Sequence, residues 1–237
     1  LSVTSEIKDG YNVGTVLFED KASETKGSDI YHRIIPDAES YIKEQARTVL
    51  ATLYNSPEDS ITPVNKIHYT LEDIEGISAK GGGNGDVTIF YSTRHIEKSF
   101  AENDTAKLFF ETRGVLLHEL THAYQLEPQG IGSYGTNRVF WAFIEGMADA
   151  VRVANGGFDG PNARPKGGNY MDGYRTAGYF FVWLRDNKDP EFLRKFNRST
   201  LEVIPWSFDG AIKHILGTEY SLSLIHISEP TRLALIS

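Results

Sequence analysis

The chain contains no cysteine. Disulfides, thiolate nucleophiles and cysteine-ligated zinc are therefore excluded. A chain of 237 residues can bury a core without cross-links, so the absence says nothing against secretion. Basic residues are in deficit: 24 Lys and Arg stand against 32 Asp and Glu, a formal net charge of −8. Such a surface repels phosphate backbones, and no basic stripe offsets it, so nucleic acid is not an expected partner. Long apolar runs are missing too. No stretch approaches the roughly 20 residues of a membrane helix, so membrane contact is not expected either. What remains is ordinary for a globular chain, with 40% hydrophobic and 24% charged residues. Nothing in the composition sets the oligomeric state.

Both ends invite an expectation. The chain opens on Leu1 rather than Met, which points to a missing or removed upstream segment. Leu222 to Ser237, LSLIHISEPTRLALIS, resembles the translation of a sequencing-library adapter. Residues 222–237 are expected to be a non-native tail, and His226 within them is given no function. Residues 1–221 are expected to form a single domain, since no repeat or linker divides them.

Val13 to Phe18 is β-branched and apolar, and predicts a first strand. A helix is expected from Pro36, because Ala38, Tyr41, Ile42, Gln45, Ala46, Val49, Leu50 and Leu53 recur at spacings of three and four. Lys66–Leu71, Ile74–Ala79 and Val87–Tyr91 read as strands. The glycine-rich Lys80–Asp86 reads as a flexible connector, not a phosphate loop, since no Gly-Lys-Ser/Thr follows. A long helix capped by Asn103 or Asp104 should run to about Leu126 and stop before Pro128. Another spans Thr136 to Ala154 and ends at Asn155-Gly156-Gly157. Helices are expected at Gly173–Arg185, Pro190–Asn197 and Ser207–Leu216. The order predicts an α+β fold, with a small mixed sheet, then a long helix and a mainly helical second half.

The informative segment is His118-Glu119-Leu120-Thr121-His122. On a helix, residues four apart lie one above the other, so both imidazoles can face one ion. Glu119 lies about 100° round the helix from His118, which puts its carboxylate beside the ion, where it can act as a general base. Leu108, Phe109, Thr112, Val115 and Leu116 supply an apolar face that should partly bury this helix. A catalytic zinc takes three protein ligands, and Trp141-Ala-Phe-Ile-Glu145-Gly-Met-Ala-Asp149 offers two carboxylates one turn apart. One can ligate while the other orients a histidine through its second ring nitrogen. We take Glu145 as the ligand and Asp149 as the orienting group. Spacing alone also allows the reverse.

HELTHAYQ, IEGMADAVR and Gly173-Tyr-Arg-Thr-Ala-Gly-Tyr-Phe-Phe, in that order, resemble the three central motifs of the plant basic secretory protein family, a peptidase family of plants and bacteria. The likeness extends over roughly Val13 to Gly217. It implies a zincin-like fold of the glutamate-zincin type, a secreted metallopeptidase, and zinc held by His118, His122 and Glu145. One departure matters: this chain is acidic where the family name records a basic protein, so partners inferred from basicity do not carry over.

The scattered His32, His68, His95 and His214 are expected to be structural or exposed, not ligands. An oxyanion donor is expected among Tyr170, Tyr174 and Tyr179, with Tyr174 preferred for its place in the matching motif. Val87–Tyr91 is expected to be the edge strand on which a peptide or protein substrate lies. The expected function is zinc-dependent peptide-bond hydrolysis, as an extracellular endopeptidase. The alternative is a secreted, zinc-containing binding or defence-related protein that cleaves nothing. A purely structural zinc favours four protein ligands and has no need of Glu119, which argues against that alternative. No acidic exopeptidase motif precedes the zinc helix, which argues against an aminopeptidase.

Overall fold

A computed structural model describes residues 8–220 and Leu222. The expected tail, residues 222–237, lies outside the described residues apart from Leu222. The described chain is a mixed α+β structure that forms two compact units. One takes in the residues up to Ala51 together with Ser56–Tyr124. The other takes in Thr52–Asn55 and the residues from Gln125 onward.

The first unit holds a four-stranded sheet: β1 (Thr15–Asp20), β2 (Lys66–Glu72), β3 (Ser78–Gly83) and β4 (Asp86–Ser92), in the order β1-β2-β4-β3. β1 and β4 run parallel to β2, and β3 runs antiparallel to β4. Alternation decides which face is buried. Val16, Ile67, Tyr69, Leu71, Val87, Ile89 and Tyr91 are buried, whereas Leu17 on the opposite face is 45% exposed. Helices α1 (Lys26–Ile34), α2 (Ala38–Leu53, its last two residues counted with the second unit), α3 (Thr93–Ser99) and α4 (Thr105–Tyr124) complete this unit.

Two strand expectations are corrected. The strand expected at Ile74–Ala79 begins only at Ser78 and runs through Lys80-Gly-Gly-Gly83, so most of the expected connector is strand. Asn84 and Gly85 turn the chain with φ of 54° and 81°. Two left-handed residues suit a tight hairpin, and Asn-Gly is the dipeptide that adopts them most readily. The second correction concerns Val87–Tyr91. Because β4 pairs with β2 on one side and β3 on the other, it has no free edge. Among the described residues the edges are β1 and β3.

Helix α4 forms for local reasons and is then fixed by packing. The Asp104 carboxylate accepts the Lys107 N–H at 2.9 Å and satisfies one donor of the first turn. Leu108, Thr112, Val115, Leu116, Leu120 and Ala123 are buried, but Phe109, expected on that face, is 37% exposed. The Thr112 and Tyr91 hydroxyls meet at 3.1 Å, tying α4 to β4. Arg113 Nε donates to Gln45 Oε1 of α2 at 3.1 Å. The Tyr124 hydroxyl, at the helix end, donates to the Val13 carbonyl at 2.5 Å.

The second unit is helical: α5 (Arg138–Ala154), a 3-10 turn (Tyr170–Asp172), α6 (Tyr174–Asn187), α7 (Phe192–Glu202) and α8 (Phe208–Leu216). Its core is aromatic. Phe143 lies 4.7 Å from Trp206 and 5.1 Å from Phe196, and Phe181 lies 4.9 Å from Phe196, between ring centroids. Each such buried ring contributes roughly 1.5–3 kcal/mol. Buried Asn197 ties two other stretches of this unit together: Oδ1 accepts the Leu126 N–H at 2.9 Å, and Nδ2 donates to the Leu53 carbonyl at 3.1 Å.

Helices α5 and α6 meet through glycines that the sequence places in two of its motifs. A Cβ on Gly146 would come 2.6 Å from Phe181 and 2.8 Å from the Ala177 Cβ. A Cβ on Gly178 would come 2.8 Å from the Ala150 nitrogen and 2.9 Å from the Asp149 carbonyl carbon. Only hydrogen fits there, so the backbones approach closely and hold the stretch carrying Glu145 and Asp149 in place.

Candidate metal centre

His118 and His122 stand one turn apart on α4, each partly buried. Their Nε2 atoms are 3.1 Å apart, and the rings are nearly perpendicular with centroids 4.7 Å apart. Two imidazole nitrogens at that separation repel through their lone pairs unless a proton or a cation lies between them. Zinc–nitrogen bonds of about 2.0–2.1 Å at a tetrahedral angle would separate two nitrogens by roughly 3.3–3.4 Å. The pair is therefore close to the bite that one ion requires.

Glu145 on α5 is 5% exposed. Ligand atoms of His118, His122 and Glu145 all lie within 4.8 Å of one another, and the group could hold a metal ion. Two imidazoles and a carboxylate form a donor set suited to a borderline-soft divalent ion, with coordination positions left for other ligands. Glu119, next to His118, is buried at 7% exposure. The Tyr69 hydroxyl is held well above the usual tyrosine pKa, chiefly by burial, with smaller contributions from Tyr31, Tyr91 and the Glu119 charge. Asp149, one turn beyond Glu145, is 4% exposed and is packed against Gly178 of α6.

The tyrosines expected as oxyanion donors divide. Tyr170 packs against Phe208 at 4.6 Å and Phe180 at 6.5 Å. The Tyr179 hydroxyl donates to the Phe158 carbonyl. Tyr174 is 48% exposed, and its ring meets Trp141 edge-on at 5.5 Å. Its backbone has φ of 43° and follows Gly173 at 66°, a left-handed pair at the start of α6. A non-glycine residue there stores about 1–3 kcal/mol, a cost often found at functional sites. Gly173 itself cannot carry a side chain, because a Cβ would come 2.8 Å from the Trp141 ring.

One residue was not singled out from the sequence. The Tyr134 hydroxyl donates to Glu145 Oε1 at 2.8 Å. Its pKa is raised, first by burial and then by the hydrogen bond to Glu145 and that carboxylate's charge. Tyr134 sits in a Gly/Ser/Thr loop with no periodicity. Its only signal was a lone aromatic in a polar turn just before the helix of the third ligand.

The remaining described histidines each face a carboxylate: His32 with Asp20 at 2.9 Å, His68 with Glu19 at 2.7 Å, His95 with Glu111 at 3.0 Å and His214 with Glu202 at 3.4 Å. None joins a three-ligand group among the described residues.

The model of the BSP family, described as peptidase of plants and bacteria, matches residues 13–226. The chain belongs to this family. Searches of curated proteins and of solved structures found no match. The family description names a peptidase, and the candidate metal group lies on the motif residues that carried the resemblance.

Proposed function

We propose that this chain is a secreted zinc-dependent endopeptidase with a zincin-like fold of the glutamate-zincin type, carried by one catalytic domain over residues 1–221. The observation that supports it most is the convergence of His118, His122 and Glu145, with Glu119 buried on the same helix. These three residues would hold the ion. Zinc, when bound, polarises a carbonyl and acidifies water. Glu119 takes the proton of the attacking water and passes it to the leaving amine nitrogen as the peptide bond breaks. Asp149 orients a ligand histidine, and Tyr174 donates to the developing oxyanion.

An extended peptide or protein substrate would lie along β3 rather than β4. β3 keeps one side unpaired within the sheet, packs near α4, and presents Gly81-Gly82-Gly83, whose lack of side chains leaves the backbone open to pairing. The acidic surface favours neither nucleic acid nor anionic membranes as partners.

Digestion of a broad peptide library, read by mass spectrometry, tests the reading. Zinc-loaded wild type should cleave, and Glu119→Gln should lose about 10²–10⁴-fold in rate while retaining its zinc. Undiminished turnover by Glu119→Gln would remove the assigned base. A zinc-loaded wild type that cleaves nothing would favour a binding protein that keeps the metal for shape.

A further inference from the structure

We infer that Tyr134 is a positioning residue for Glu145, fixing which carboxylate oxygen is offered to the ion. The inference rests on the metal reading above. Tyr134 is 45% exposed, so its ring is not held by a core. A half-exposed tyrosine in a turn ordinarily gives its hydroxyl to water. Here the hydroxyl is directed instead at a carboxylate that is 5% exposed, at 2.8 Å. A phenol donating to an ionised carboxylate makes a charge-assisted bond, among the stronger hydrogen bonds available.

The turn that carries Tyr134 is built to hold that geometry. Ser133 N–H donates to Thr136 Oγ1 at 3.0 Å, and the N–H groups of Thr136 and Asn137 donate to the Ser133 carbonyl at 3.1 and 3.0 Å. Gly132 has φ of 89°, and a Cβ on it would come 2.9 Å from Thr136 Oγ1. Asn137 then caps α5, its Oδ1 accepting the Val139 and Phe140 N–H groups at 2.8 and 3.3 Å. Tyr134 is thus braced on the start of the helix that carries Glu145.

With the phenol on Oε1, the carboxylate offers the ion its other oxygen. A one-oxygen ligand beside two imidazoles gives the three-ligand set that leaves a position open for chemistry. Without the phenol, the bond that occupies Oε1 is lost and the carboxylate can grip with both oxygens, which weakens the preset geometry and crowds the open position.

Cobalt(II) serves as the probe, titrated against a chelator in wild type, Tyr134→Phe, Thr136→Val and His118→Ala. Tyr134→Phe should bind about 10-fold more weakly, and its visible absorption should weaken as the coordination number rises. Thr136→Val, which loosens the turn, should move both readouts in the same direction by less. Wild-type affinity together with a wild-type spectrum in Tyr134→Phe would overturn the inference. If wild type bound cobalt no better than His118→Ala, the metal reading would fall and take this inference with it.

Discussion

The histidines of α4 and those elsewhere in the chain make different contacts. His32, His68, His95 and His214 each face a carboxylate, a pairing that supplies a proton partner and fixes the ring. His118 and His122 face each other, with nitrogens 3.1 Å apart. The first arrangement is complete within the polypeptide. The second brings two electron-rich nitrogens together in a group, with Glu145, that could hold a metal ion. Histidine content alone is therefore a poor guide to a metal site, and what an imidazole faces is a better one.

The sharpest way to break that comparison is to remove one histidine of each kind. His118→Ala should lower zinc affinity by 100-fold or more, about 3 kcal/mol or above, in a chelator competition, whereas His68→Ala should leave it unchanged. Equal losses from both would erase the distinction.

Next in size is a test of the frame behind Glu145. Gly178→Ala should destabilise the protein by about 1–3 kcal/mol in urea unfolding, because its Cβ would meet backbone atoms of Ala150 and Asp149. Helix propensity alone predicts the opposite sign, a gain of up to about 1 kcal/mol. A stabilised variant would show that α5 and α6 are not held at that spacing.

Asp20 sharpens the structural side. Burial acts to raise its pKa, but hydrogen bonds from Ser28, His32 and the Ala22 N–H outweigh it, and the net shift is downward. A depressed carboxylate contributes stability above its unfolded value of 3.8 and loses it as pH falls through the lower folded value. Asp20→Asn should therefore cost about 1 kcal/mol at neutral pH, and the difference from wild type should vanish below the ordinary aspartate range. A difference that persists in acid would mean the charge is not what matters. Smallest of all, His214→Ala should change stability by no more than about 0.5 kcal/mol, since its pairing with Glu202 is exposed.

Much of this was legible in the sequence, and the parts that were not have physical causes. Helical spacing carried His118, Glu119 and His122, since a four-residue period leaves little freedom in where the rings go. The apolar setting of Glu145 separated it from a solvated acidic face. The strand through Lys80–Gly83 was missed because glycines carry no alternation, although Asn84-Gly85 was a readable hairpin signal. Strand order was not legible at all: Val87–Tyr91 has the pattern of any half-buried strand, and only pairing with β2 and β3 shows that it is interior. Tyr134 lay beyond pattern reading, because its role depends on a hydroxyl that reaches Glu145, 11 residues on, and no periodicity encodes that contact.

X-ray absorption at the zinc edge, on purified protein loaded with one equivalent of zinc, tests the central claim most directly. Two imidazole nitrogens and a carboxylate oxygen at about 2.0–2.2 Å are expected in the first shell. A spectrum without imidazole scattering, or one that is the same in His118→Ala, would contradict it.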